Sequence, residues 1–138
     1  MKLTIPVNWE DDYFEKIDFS QTEEIYGKLN VGLIGGGRPT LTLPSVKKEK
    51  VKEFVTEAHK RNLKFNYLMN GTCFDNLEIT KTGYKDIRKT LDWLSESGVD
   101  GISVSLPMVM EIIKKNYPNF SVSASIQVRI DGFEKARY

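Results

Sequence analysis

The side chains best placed to bind or react in this sequence follow one pattern. Ser103 and Ser105 alternate with Ile102, Val104 and Leu106, and Ser123, Ser125 and Gln127 alternate with Val122, Ala124 and Ile126. Neighbouring residues of a strand point to opposite faces, so each stretch presents one apolar face and one face of hydroxyls and amides. Asn8, Asn70 and Arg129 close strand-like stretches, and Arg38 lies on a glycine-rich segment. In folds built from parallel strands, ligands gather at the carboxyl ends of the strands. That rule selects Asn8, Arg38, Asn70, Ser105, Gln127 and Arg129 as candidate substrate-binding residues. Hydroxyl, amide and guanidinium groups suit hydrogen bonding to a polar ligand. They suit acid–base catalysis poorly, because that chemistry wants a histidine or a tuned carboxylate.

The remaining reactive groups stand alone in the sequence. His59, the sole histidine, falls near the carboxyl end of a helical stretch, where a surface or half-buried role is expected. A serine nucleophile would need it alongside. Cys73, the single cysteine, excludes an internal disulfide and a cysteine-based cluster. Its place after the third strand is the correct side for a site, but it has no histidine partner in view. Asp75 and Glu78 follow without a third ligand at metal spacing. No metal, no cofactor and no identifiable catalytic residue is therefore expected. The serine faces also have a plainer reading, as small residues filling a tight barrel centre with hydroxyls bonded to backbone.

Positioning these groups requires a regular scaffold. Gly98 suits a helix stop, Val99 to Leu106 reads as a strand, and Pro107 suits the first turn of the next helix. Val109, Ile112 and Ile113 give that helix an apolar stripe. Asn116-Tyr-Pro-Asn119 breaks it, and Phe120 to Gln127 reads as a strand parallel to the first. Upstream, Leu3 to Asn8 and Glu23 to Leu29 read as strands, with a short helix between Trp9 and Phe19. Gly35-Gly36-Gly37-Arg38-Pro39 predicts a loop; the prolines that follow exclude a phosphate-binding loop, whose glycines open directly onto a helix. Ser45 is the candidate N-cap of a helix running to about Arg61, with Asn62 as its stop. Lys64 to Asn70 is a third strand. A fourth helix, carrying Tyr84, Ile87, Leu91 and Leu94, ends at Gly98, and the last residues start another helix. Strict alternation predicts an α/β fold, a parallel βα repeat of about five strands forming a partial TIM-type barrel. Since a full eight-stranded barrel takes about 250 residues, residues 1–138 are expected to be a single domain, the N-terminal half or slightly more of a barrel.

Asp100-Gly-Ile-Ser-Val-Ser-Leu-Pro, then a helix, then Pro118-Asn-Phe-Ser-Val-Ser-Ala-Ser-Ile-Gln resembles the middle of the collagenase-like peptidase family of unassigned catalytic type. That family has an apolar strand ending in Ser-Asp-Pro and, after a helix, Pro-Asp or Pro-Asn and a strand close to His-Ala-Ser-Thr-Gln. Leu106 stands in place of the Asp, Ser123 in place of the His and Ile126 in place of the Thr. The resemblance implies a TIM-type barrel. It also implies a hydrolase acting on peptides, or a component of RNA modification by hydroxylation, since both occur in the family.

Composition sets the outer limits. A chain of 138 residues is enough for one domain with a real core, and a net charge of +1 gives no electrostatic case for nucleic acid or a membrane. No apolar run approaches a membrane span and the N-terminus lacks a signal-peptide pattern, so the cytoplasm is expected. Two functions remain open. One is a peptidase-family enzyme acting on peptide or RNA. The other is a non-catalytic binding or assembly module that dimerises through its open sheet edge, unless a C-terminal half of the barrel covers that edge.

Overall fold

The computed structural model describes residues 2–30, 32, 34–35 and 44–137, so Arg38 and most of the glycine-rich segment lie outside the described residues. Five strands form one sheet: β1 (Leu3–Pro6), β2 (Thr22–Gly27), β3 (Lys64–Met69), β4 (Gly101–Val104) and β5 (Ser121–Ala124). Each strand pairs in parallel with the next, in the order β1-β2-β3-β4-β5. Sequential order without a switch point belongs to a barrel of βα units rather than a doubly wound sheet. The expected partial TIM-type barrel is therefore what the chain forms.

Helices fill every crossover: α1 (Tyr13–Lys16), α2 (Lys48–Lys60), α3 (Lys81–Glu96) and α4 (Pro107–Asn116), with α5 (Phe133–Arg137) after β5. The first connection shrinks to a single helical turn, shorter than the expected Trp9–Phe19 helix. Its aromatic side chains pack individually: Trp9 lies 5.1 Å and Tyr13 5.7 Å from the Phe54 ring of α2. Helix α2 begins later than Ser45 suggests. Lys47 is its N-cap and supplies no side-chain bond, so packing of Val51, Phe54, Val55 and Ala58 carries this helix rather than capping. Asn62, at φ +58°, ends it as expected. Helix α3 starts with Thr80 Oγ1 accepting from Gly83 N at 3.0 Å, buries Ile87, Leu91 and Leu94, and ends before Gly98 at φ +80°. Among the described residues no helix is long and apolar enough to cross a membrane.

The strand faces separate as their sequences predict. Ile25, Phe65, Met69, Ile102 and Val104 are buried against the helices. Tyr67 meets Trp93 of α3 edge-on at 5.8 Å. The opposite face carries Glu24, Asn66, Leu68, Ser103 and Ser123. One part of the pattern fails: Ile126 does not continue the apolar face of β5. The strand stops at Ala124, the 3-10 turn Ile126–Val128 follows, and Ile126 is 92% exposed.

Asp100 ties the base of the sheet together. Its Oδ2 accepts from Phe65 N at 2.8 Å and lies 2.8 Å from His59 Nε2, at the end of α2. Its own N–H donates to Phe65 O at 3.0 Å and its carbonyl accepts from Ser121 N at 2.9 Å. One residue thus joins the starts of β3, β4 and β5. Removing the carboxylate strands the Phe65 N–H, which costs about 1–3 kcal/mol. Removing His59 cuts only a half-exposed pair, worth below about 1 kcal/mol. Urea unfolding should therefore show Asp100→Ala clearly less stable than His59→Ala; equal losses would mean that the contact with His59, not the backbone bond, is what matters.

Candidate functional site

The carboxyl ends of β3, β4 and β5 bring three predicted residues together. Just past β3, Asn70 Nδ2 donates to Ser125 Oγ at 3.4 Å. Ser105, beyond β4, is buried and donates to the Asn70 carbonyl at 2.9 Å, with Gln127 Oε1 at 3.5 Å. Gln127 N in turn donates to Ser125 Oγ at 3.4 Å. The turn that displaces Ile126 is what swings Gln127 over this group. Asn70, Ser105, Ser125 and Gln127 thus form one cluster of neutral donors and acceptors from three adjacent strands.

The other predicted residues sit apart. Asn8 Oδ1 accepts from Glu10 N at 3.1 Å, shaping its own turn. Arg129 is exposed at φ +53° beyond the 3-10 turn, and its carbonyl accepts from Lys135 Nζ at 3.1 Å. Arg38 lies outside the described residues. Cys73 is exposed and its sulfur accepts from Asp75 N at 3.2 Å. It stands beyond the carboxyl end of β3, whereas His59 is bonded at the opposite end, so the two form no catalytic pair. Among the described residues no three acidic, histidine or cysteine side chains converge on a metal position.

Two charged groups escaped the sequence reading. Glu24 points to the polar face, where Asn66 Nδ2 donates to it at 3.4 Å, and Ser103 Oγ donates to Asn66 Oδ1 at 2.9 Å. Burial, ahead of the opposing bond from Asn66, pushes the Glu24 carboxyl pKa up. Strand parity, which places Glu24 with Tyr26, was the signal available. Lys28, just past β2, is buried, and burial lowers its pKa. No sequence signal marks it, because its burial comes from the surrounding fold.

A cavity of about 460 Å³ opens at the other end of the sheet, lined by Lys64, Asp100, Tyr117, Asn119 and Ser121 among others. Burial and a bond to Asp92 push the Tyr117 phenol up to about 12. These residues precede or begin their strands, the end of a barrel that serves stability rather than chemistry. The cluster around Asn70 is therefore the better candidate site.

Taken together, the fold and this cluster define part of a TIM-type barrel with a polar inner wall. Residues 41–138 match the family described as Peptidase family U32, and the chain belongs to that family. It is 29% identical over 105 residues to a protein named "Uncharacterized protease MJ1657" from Methanocaldococcus jannaschii, covering 76% of this chain and 30% of that protein. A solved structure, that of the U32 peptidase Mk0906, superposes with a TM-score of 0.78 and 24% identity over 99% of this chain and 53% of the other. The chain thus spans under a third of the curated relative and about half of the solved structure, and the structural likeness shows the fold.

Glu24 yields a pH test. A carboxyl raised above its ordinary value near 4.5 contributes stability when protonated and loses it as pH rises through the raised value. Glu24→Gln should be at least as stable as the parent at pH 7, and its advantage should vanish near pH 4. An advantage that grows toward acid would contradict the assignment.

Proposed function

We propose that this chain is the substrate-binding wall of a U32-family peptidase barrel and that its ligand is a peptide. The observation that carries the reading is the cluster of Asn70, Ser105, Ser125 and Gln127 at the carboxyl ends of neighbouring strands. Amides and hydroxyls match the neutral donors and acceptors of a peptide backbone. An RNA ligand, the other substrate that the family resemblance implies, would want Lys and Arg against its phosphates. The cluster is uncharged and the chain carries a net charge of only +1.

Cleavage itself needs groups beyond these. Among the described residues no serine or cysteine stands beside a histidine. The catalytic groups are accordingly assigned to the strands that would complete the barrel. Residues 1–138 supply five of eight βα units in this reading, and a sixth parallel strand joins the free edge of β5. Ile126, Ile130 and Phe133, exposed by 92%, 47% and 86%, then become buried. A second copy fits this edge less well, because two copies bring ten strands to an eight-stranded barrel.

The test is calorimetric titration with a proline-containing hexapeptide. Gln127→Ala removes one hydrogen bond worth about 1 kcal/mol and should weaken binding about fivefold. Unchanged affinity would remove the cluster from the site, and no binding by the parent would remove the peptide.

A further inference from the structure

One peptide group at the mouth of the sheet is held from both sides. It joins Asn70 to Gly71, just past the end of β3 at Met69. Its carbonyl, that of Asn70, accepts from Ser105 Oγ at 2.9 Å. Its N–H, that of Gly71, donates to the Gly35 carbonyl at 2.6 Å. A trans peptide group is planar and points its C=O and N–H in opposite directions. The partners accordingly come from the two flanking strands: Ser105 follows β4, and Gly35 stands on the segment after β2. The hydrogen bonding of β3 thus continues for one more peptide group. A hydroxyl stands where β4 would offer an N–H, and a loop carbonyl where β2 would offer a C=O.

The clasp depends on the absence of a side chain. A Cβ on Gly71 would stand 2.6 Å from the Gly35 oxygen, 2.9 Å from its carbonyl carbon and 3.0 Å from its Cα. All three are backbone atoms, so no change of rotamer relieves the contact and the segment itself must withdraw. Among the described residues Gly98 is the glycine with a positive φ, so Gly71 is needed here for close approach and not for backbone conformation. Beside Gly35, Ile34 is 6% exposed and belongs to the core, which anchors the segment from below.

The clasped group carries Asn70, whose Nδ2 donates to Ser125 Oγ at 3.4 Å. With the plane held at both ends, the Asn70 backbone has little freedom to turn, and its amide reaches across the cluster from a fixed base. We propose that Gly71 is a positioning residue of the peptide-binding site: its clasp with Gly35 sets Asn70 toward the ligand and makes the affinity of the cluster answer to the segment after β2. This rests on the peptide reading above. Preorganisation of this kind lowers the ordering cost of binding.

Calorimetry with the proline-containing hexapeptide on Gly71→Ala, Asn70→Ala and the double variant tests it. Each single change loses the Asn70 contact, a hydrogen bond worth about 1 kcal/mol, and should weaken binding about fivefold. The double variant should be no weaker than Asn70→Ala alone, because one contact cannot be lost twice. Gly132→Ala, whose added Cβ meets nothing within 4 Å, should bind as the parent does. Losses that multiply to about 25-fold in the double variant, or either single variant binding like the parent, would overturn the positioning role and leave the peptide reading standing. Hydrogen exchange of the unaltered chain judges the clasp without ligand or variant. The Gly71 amide should exchange at least about tenfold more slowly than an unstructured one; exchange at the unstructured rate would overturn the proposal even if the variants fail to fold. No binding by the parent would overturn the peptide reading instead. The positioning role then stands if Gly71→Ala, unlike Gly132→Ala, shifts the Asn70 side-chain amide resonances, and falls if it does not.

Discussion

The carboxylate of Asp100 is the contact on which the rest depends. Side chains alternate along a strand, so a slip of one residue would send every polar side chain of β4 into the helices and every apolar one into the lumen. Asp100 opposes such a slip at the place where three strands begin. Its carboxylate takes the Phe65 N–H, its N–H and carbonyl hold β3 and β5, and His59 ties the end of α2 to the same oxygen. With register fixed there, Ile102 and Val104 stay under the helices while Ser103 and Ser105 look inward.

That inward face explains how a small polar site persists in so short a chain. Asn66, Ser103 and Ser105 bond to each other's strands or to neighbouring side chains, so burying them leaves few orphaned groups. The same bonds hold Asn70 and Gln127 in place before any ligand arrives, which lowers the ordering cost of binding. In the function proposed above, this wall binds and orients a peptide.

Much of the scaffold was legible in the sequence because its signals are local. Gly98 and Asn62 end helices through backbone conformation, Pro107 opens one, and the alternation from Ile102 to Ser105 states a strand with two unlike faces. The misses are of two kinds. Some came from tertiary packing outweighing local preference: α1 is a single turn because Tyr13 and Trp9 pack as separate anchors on Phe54, and α2 forms without Ser45 as its cap. Others were groups whose importance is created by residues distant in sequence. His59 acquires meaning from Asp100, 41 positions away, and Glu24 from Asn66, 42 away. Lys28 is an ordinary lysine until the fold closes over it. Ile126 misled because a period-two pattern carries no mark of where a strand stops, and the turn that exposes it is the one that delivers Gln127.

Hydrogen exchange of the chain with and without a saturating proline-containing peptide tests the central claim most directly. The account predicts slowed exchange at the amides of residues 67–71, 103–106 and 125–128, at the carboxyl ends of β3, β4 and β5, with little change around Tyr117 and Asn119. Protection confined to the cavity at the base of the sheet, with the Asn70 cluster unaffected, would contradict it and move the site to the opposite end of the strands.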